Sequence, residues 1–428
     1  MIGLTGSKPL LVLLISVLIC FGSWRWVRYI LIPANTSAAQ HGALPIGNNS
    51  DLYPRWLGAR ELLLHGRDPY SANVTREIQE GFYGRALDAA NPSDPSDQSA
   101  FAYPVYVVFL FSPVVKYPFL SIVYFARWIL LFSILVTIPL WLKVIGLRAT
   151  AGWTASGVFL ILGAYPSMLE FYMQNLTAVV VLLLALASFA AVNNWLAMSG
   201  FLLALSTIKP QLSVFFILCF LLWTFGEWKA RRRLLVSFAL TLISLVLAGE
   251  FFLPGWIGKF LAAVRSYHSY TREPIGLEMF FPPIIAWAAE AALLVTLFFI
   301  GLRRRKSLPG SPEFAWMLAW VAATTLLLAP IQLYNQLLLI PALFALIAQR
   351  ERIWTSGRVP RAMSKAVLVC LGWQWITAAL LGLATLVLPA ERLQFAARVP
   401  VYTSLALPPI TFLALLAGTS VARTTETG

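Results

Sequence analysis

Long apolar runs recur from near Leu10 to the far end of the chain, and they limit what it can fold into. About 20 consecutive apolar residues in a helix cross a hydrocarbon core. The runs read roughly 10–24, 101–117, 119–142, 152–169, 174–192 and 197–225. They continue at 234–253, 283–301, 314–330, 332–349, 363–388 and 401–419, about twelve in all. With 59% hydrophobic and only 12% charged residues, the chain has too little polar surface to clothe a soluble globule. The expected fold is all-α, a polytopic membrane protein with residues 1–428 forming one integral-membrane domain.

The net charge of +14 raises the question of nucleic acid, and its distribution answers it. The positive excess sits in short connections between apolar runs: Lys229 to Arg233, Arg303 to Lys306, and Arg350 to Arg361. Short basic connections are what the positive-inside rule places in the cytoplasm, so membrane lipids and not nucleic acid are the expected partners. The three clusters fall at alternate junctions, which puts 33–100 and 254–282 together on the external side. All five aspartates, Asp51, Asp68, Asp88, Asp94 and Asp97, lie within 33–100. Two of the spans are interrupted, one by Pro104, Pro113 and Pro118 and the other by Lys209-Pro210. Either break can hold a re-entrant segment, which would invert the placing of Gln174 and Asn175.

Within the acidic segment, Ser50 is placed to cap a helix that Gly66 ends. Leu52, Trp56, Ala59 and Leu63 then share one face, which suits a helix lying along the membrane interface. A second short amphipathic piece is expected from about Val74 to Tyr83. Asp51 falls in the first turn of the first helix, where the macrodipole favours a negative charge. It admits two readings: an ordinary capping carboxylate, or a general base acting on a hydroxyl at the membrane surface, with Tyr53 and Arg55 beside it.

Lys209, next to a helix-breaking proline inside an apolar span, is costly and by default functional. Its ammonium suits a phosphate; the alternative is snorkelling to an interface. Gln174 and Asn175 are either helix-packing polar groups or sugar-hydroxyl contacts. The segment 254–282 gathers Lys259, Arg265, Tyr267, His268, Tyr270 and Arg272, a basic and aromatic surface for a phosphate or an interfacial belt. Tyr334, Asn335 and Gln336 follow Pro330 between two spans and are placed to line the same site. Glu290, in the middle of a span, requires a partner. The histidines, His41, His65 and His268, and the cysteines, Cys20, Cys219 and Cys370, show no metal-ligand spacing, and no metal site is expected. Phosphate-cradling Gly loops, zinc-protease motifs and nucleophile elbows are absent from the sequence.

Asp51 followed by Tyr53 and a helix ending Leu64-His65-Gly66-Arg67-Asp68-Pro69-Tyr70 resembles the first external loop of glycosyltransferase family 87. These are integral-membrane enzymes of the GT-C class that use polyprenyl-phosphate mannose. Ala102-Tyr103-Pro104-Val105 resembles the family's Tyr-Pro-Pro at the start of the second span. Gln174-Asn175, Lys209-Pro210 and the Pro330 to Pro341 stretch fall in the family's order. The chain departs from the pattern at Gln332-Leu333-Tyr334-Asn335-Gln336, where family members often carry a histidine after the proline. That departure bears on the phosphate contacts and on the sugar.

The resemblance implies an inverting hexose transfer, of mannose by analogy, from a polyprenyl-phosphate donor to a lipid or cell-envelope glycan acceptor, at the external face of the cytoplasmic membrane. Asp51 would take the acceptor proton. The donor phosphate would meet Lys209, Arg265 and His268, and Tyr53, Arg55, Gln174, Asn175, Tyr334 and Asn335 would contact substrate. Neither a cofactor nor an obligatory metal is implied. Three other readings remain at this level: a transporter or flippase of a lipid-linked saccharide, a structural membrane subunit, and an oligosaccharide ligase.

Overall fold

The computed structural model describes residues 3–4, 9–34, 50–88, 91, 94–95, 97–271, 276–330 and 332–423. His41, Asn48, Asn49, Arg272 and the tail 424–428 lie outside the described residues. The protein is 80% helical with almost no strand, as the apolar periodicity requires. The one strand pairing among the described residues joins β1 (Gly3–Leu4) to β2 (Arg148–Ala149) in parallel.

In chain order the helices begin with α1 (Pro9–Trp26), continued by a π-helical stretch Val27–Leu31. The acidic segment supplies α2 (Leu52–His65) and α3 (Ala72–Tyr83). Next come α4 (Phe119–Ile145), α5 (Ala151–Leu162), α6 (Tyr165–Met173), α7 (Thr177–Val192), α8 (Leu196–Leu205) and α9 (Pro210–Gly226). After these run α10 (Trp228–Phe252), α11 (Trp256–Thr271), α12 (Pro283–Arg304) and α13 (Pro312–Leu328). The chain closes with α14 (Ile340–Ala348), α15 (Arg350–Thr355), α16 (Arg358–Ala384) and α17 (Leu407–Arg423).

Five of these, α1 with its extension, α4, α10, α12 and α16, are individually long and apolar enough to cross a membrane. α5 and α6 meet at a 58° bend and make a sixth if counted as one span. The remaining apolar helices have 10–17 residues, so length and composition return five or six crossings and not the expected twelve. The long helices turn apolar side chains outward: Tyr124, Phe125, Trp128 and Phe132 on α4, and Ile284, Ile285, Trp287, Phe298 and Phe299 on α12 are exposed. Contiguous apolar surface of that extent fits hydrocarbon and not water. At the centre, every residue of α13 from Phe314 to Leu327 is buried. Several hydroxyls inside apolar helices are satisfied locally, as where Ser16, Ser133, Ser188 and Thr325 donate to the carbonyl four residues back.

The stretch 101–117 is not the spanning helix its composition predicts. It forms a 3-10 turn, Val105–Val107, and one helical turn, Val108–Phe111, because Pro104, Pro113 and Pro118 remove the amides a continuous helix needs. Phe109 packs on Phe252 at the end of α10, and Phe119 at the start of α4 packs on Tyr53 and Trp56 of α2. The stretch therefore enters and leaves at the acidic end of the molecule. This shifts the alternation by one, and Gln174 and Asn175 come to that end too. The basic junctions meet at the other end, where Arg231 donates to the carbonyls of Arg305 and Ser307. Glu290 accepts from the Leu277 N–H at 3.0 Å, which supplies the partner its position demands.

α2 also differs from expectation. Leu52, Tyr53, Trp56, Ala59 and Leu62 are all buried in the main core, so the helix is enclosed by protein and does not rest one face in headgroups. Ser50 does act at its start, its hydroxyl accepting from the Leu52 N–H at 3.2 Å. Gly66 ends it at φ 64°, a left-handed conformation that costs glycine nothing.

The tightest helix crossing joins α1 to α16. A Cβ at Gly382 would overlap the Gly22 carbonyl, and one at Gly22 would lie 2.8 Å from Ala379 Cα. Small residues let helices approach this closely in lipid, where packing replaces the hydrophobic drive. Replacing Gly382 by leucine is expected to destabilise by about 1–3 kcal/mol or more through overpacking. Gly372→Leu on the same helix, where an added Cβ meets nothing within 4 Å, should cost far less. Thermal unfolding of the two variants in detergent compares them directly.

Candidate functional site

Three breaks in the apolar helices converge at the acidic end, and each carries the polar side chains of the site. The first follows α6. Gln174 takes a left-handed conformation at φ 49°, which costs a non-glycine residue roughly 1–2 kcal/mol. Its side-chain amide offsets this by donating back to the Phe171 and Tyr172 carbonyls. The second break is Lys209. Pro210 has no N–H and disfavours helix in the residue before it, so Lys209 adopts φ −132°, ψ 77° between α8 and α9. The third is the 3-10 stretch Leu333–Leu339 after α13.

Lys209 joins them. Its ammonium donates to Asn175 Oδ1 at 2.8 Å, Thr177 Oγ1 at 2.6 Å and Asn335 Oδ1 at 3.0 Å. That uses all three of its donors. The Tyr334 ring lies 4.7 Å from Nζ, adding a cation–π contact. Lys209, Asn175, Thr177 and Asn335 are each at most 2% exposed. A cation taken out of water this far costs several kcal/mol unless it is paired and hydrogen-bonded. The acid whose field acts most strongly on it is Glu170, wholly buried on α6. One Glu170 oxygen accepts from the Ala178 N–H at 2.8 Å, at the N-terminus of α7 where the macrodipole favours it. The other oxygen has no hydrogen-bond partner among the described residues.

The ammonium also decides which way the Asn175 amide faces. A lysine can only donate, so it must take Oδ1, and Nδ2 is left to donate to Asp51 Oδ2 at 2.6 Å. The Asp51 backbone is held independently, its N–H donating to the Met173 carbonyl at 2.7 Å. A half-buried carboxylate is thus fixed at the start of α2 against the end of α6.

Arg55, one turn further along α2, is 3% exposed. Its guanidinium donates to the Tyr103 hydroxyl and lies over the Tyr103 ring, and its Nε has no hydrogen-bond partner among the described residues. Burial lowers its pKa from the ordinary arginine value, and Asp51 is the strongest of the opposing charges. Around this centre the acidic segment is braced by its own ion pairs. Arg85 and the Asp88 N–H hold Asp94 down to about 2. Arg67 bridges Glu61 and Glu77. Lys259 of α11 meets Asp68 at 3.0 Å, which ties the segment 254–282 to the acidic one.

Asp51, Asn175, Lys209, Tyr334 and Asn335 are therefore brought together, with Arg55 beside them. Other residues expected there are not. Tyr53 packs against Trp56 and Phe119 and over Gly81 of α3, so it is a core residue and not a substrate contact. Gln174 caps its own helix. Lys209 has no spare donor for a phosphate. Arg265 and His268 are exposed on α11, and among the described contacts nothing links them to Lys209; Tyr267 of the same helix instead acts on Arg55 and Tyr334. Glu170 and Thr177 were not anticipated. Glu170 did carry a signal, being the only acid between Asp97 and Glu227. Among the described residues, no three of His, Cys, Asp and Glu come close enough to hold a metal ion. Neither a protein-family model nor a curated protein matches this chain.

Lys209→Met is expected to destabilise the protein by about 1–3 kcal/mol, leaving the Asn175 and Asn335 oxygens without their donor and Glu170 without the cation whose field acts on it. Adding Glu170→Gln should recover part of that loss, so a double-mutant cycle by denaturant unfolding reads the coupling. Asp97 supplies a pH test. Burial raises its pKa, the Ser99 N–H opposes this and the Asp51 charge adds to it. Because the folded pKa exceeds the unfolded one, ionising Asp97 weakens the fold as pH rises through the folded value. Asp97→Asn should therefore raise the melting temperature at pH 7 and leave it unchanged near pH 3.

Proposed function

We propose that the protein is a membrane glycosyltransferase that moves a hexose, mannose by family resemblance, from a polyprenyl-phosphate carrier to a hydroxyl of a lipid or glycan. The observation that carries this reading is the Asp51 carboxylate, oriented through Asn175 by a buried lysine at one end of an apolar helical body. The six crossings, taken with the six shorter apolar helices, make twelve apolar passages on this reading, in a GT-C-like arrangement. With the basic connections in the cytoplasm, the Asp51 end faces outward.

In the proposed step Asp51 accepts the proton of the acceptor hydroxyl as that oxygen attacks the anomeric carbon. The bond from that carbon to the phosphate oxygen breaks with its electron pair on the phosphate, and the anomeric configuration inverts. Arg55, a buried cation with an unpartnered Nε, is the group to meet the departing charge. Lys209 acts at one remove: it positions Asn175, which positions Asp51. The outward apolar faces of the long helices suit the prenyl chain. A second reading, transport of a lipid-linked saccharide, draws on Glu170, since a carboxylate at membrane depth is by default functional.

Purified protein in nanodiscs with radiolabelled polyprenyl-phosphate mannose and a membrane lipid extract tests the reading. Wild type should form a labelled product, and Asp51→Asn should reduce its rate by about 100-fold or more while still binding donor. Arg55→Gln should weaken donor binding. Equal transfer by wild type and Asp51→Asn would remove the base from Asp51. Movement of intact donor across the bilayer without product would favour transport.

A further inference from the structure

At the end of the molecule away from Asp51, α14, α15 and α16 enclose a cavity of about 510 Å³. This falls within the roughly 300–1,000 Å³ of small-ligand sites. Its lining on α14 begins at Leu343, eight residues beyond Asn335 of the polar centre. Leu343, Leu346 and Ile347 form one wall, and Val367, Leu368 and Leu371 form the other. The lining is mostly apolar, and its polar members are Arg350, Glu351, Thr355 and Ser364. The Ser364 hydroxyl lines the cavity, is buried, and has no hydrogen-bond partner among the described residues.

The rim is strongly cationic. Between Gln349 and Ala366 the chain carries Arg350, Arg352, Arg358, Arg361 and Lys365 against a single acid, Glu351. Arg350 itself lines the cavity, as does Glu351, which lies 3.5 Å from it. Arg352, Arg358 and Lys365 are exposed. α15 is fastened over the opening by Arg361, which donates to the Trp354 carbonyl at 3.0 and 2.7 Å. Lys365 Nζ lies 5.6 Å from the Trp354 ring. Trp354, with 43% of its surface exposed, sits where an aromatic ring marks the boundary between hydrocarbon and headgroups.

An apolar slot lined by Arg350 and Trp354, with four more cations in the adjoining chain, matches a molecule with an apolar tail and an anionic head. We propose that this cavity binds one anionic phospholipid, with an acyl chain in the slot and its headgroup phosphate among Arg350, Lys365 and their neighbours. Basic pockets between membrane helices recognise anionic headgroups by the same charge complementarity. The Ser364 hydroxyl supplies a donor for an ester carbonyl at the top of the chain. The site is independent of Asp51, so it stands whether or not the protein transfers a sugar.

The test is native mass spectrometry of the full-length, delipidated protein in detergent, equilibrated with equal amounts of phosphatidylglycerol and phosphatidylcholine of identical acyl chains. Wild type should retain phosphatidylglycerol at least tenfold over phosphatidylcholine. Arg350→Gln combined with Lys365→Gln should lower that retention about tenfold. Ser364→Trp, which fills the slot without changing charge, should abolish it; Leu368→Trp, at the exposed rim, serves the same purpose if the first variant melts early. Equal retention of both lipids, or retention unchanged in the charge and slot variants, would overturn the proposal. So would a polyprenyl phosphate that displaces phosphatidylglycerol and is itself lost in Ser364→Trp, since the slot would then belong to a donor tail.

Discussion

A single buried ammonium organises the polar end of this protein. Lys209 stands in apolar surroundings because Pro210 breaks the helix there, and a cation in that position must recruit acceptors or leave. It recruits Asn175, Thr177 and Asn335, one from each of two other breaks and one from the first turn of α7. The contacts join α6, α7, α9 and the stretch after α13 at one point. The Asn175 amide is oriented by this arrangement, and with it the Asp51 carboxylate. Removing the lysine would release the Asn175 amide and with it the carboxylate's positioning.

The surrounding helices show why such breaks are tolerated. In hydrocarbon every backbone polar group needs an internal partner, so irregular backbone survives only where protein encloses it. Gln174 satisfies the end of α6 with its own side chain, and Tyr106 reaches from the stretch 101–117 to the Thr207 carbonyl and hydroxyl beside Lys209. The non-spanning stretch thus lies under the second break. At the opposite end the requirement is met differently, with Arg231 closing the Arg305 and Ser307 carbonyls. Arg350, in the third basic junction, lines the apolar slot. The two ends therefore divide the chemistry: acid and oriented amides at one, cations and lipid-sized space at the other.

Much of the site was legible because each of its residues breaks a local rule. Asp51 opens a segment that holds every aspartate, and Lys209 is a charge where a charge is expensive. Asn175, Tyr334 and Asn335 each follow a helix interruption. The roles were harder to read. Lys209 looked free to bind a phosphate, but three acceptors from distant parts of the chain consume its donors. Tyr53 and Gln174 adjoin true site residues in sequence, yet a helix turns successive side chains by about 100°, which sends Tyr53 into the core. Arg265 and His268 share an amphipathic helix with Tyr267, and sequence spacing does not say which face turns inward.

By itself the sequence determined the all-helical class, the apolar exterior, the acidic and basic ends, and the positions where helices must stop. Those properties depend on composition and on the local chemistry of proline, glycine and charge, which act within a few residues. The tertiary structure decided that 101–117 turns back, that the Gln174 end consequently meets Asp51, and that Glu170 lies in the field of Lys209. These depend on contacts between residues more than 30 positions apart, as with Asn175 and Lys209, and more than 120 apart, as with Asp51 and Asn175 and with Lys209 and Asn335. No local preference encodes such pairings; they follow from which buried charges and amides can satisfy one another once the helices are packed.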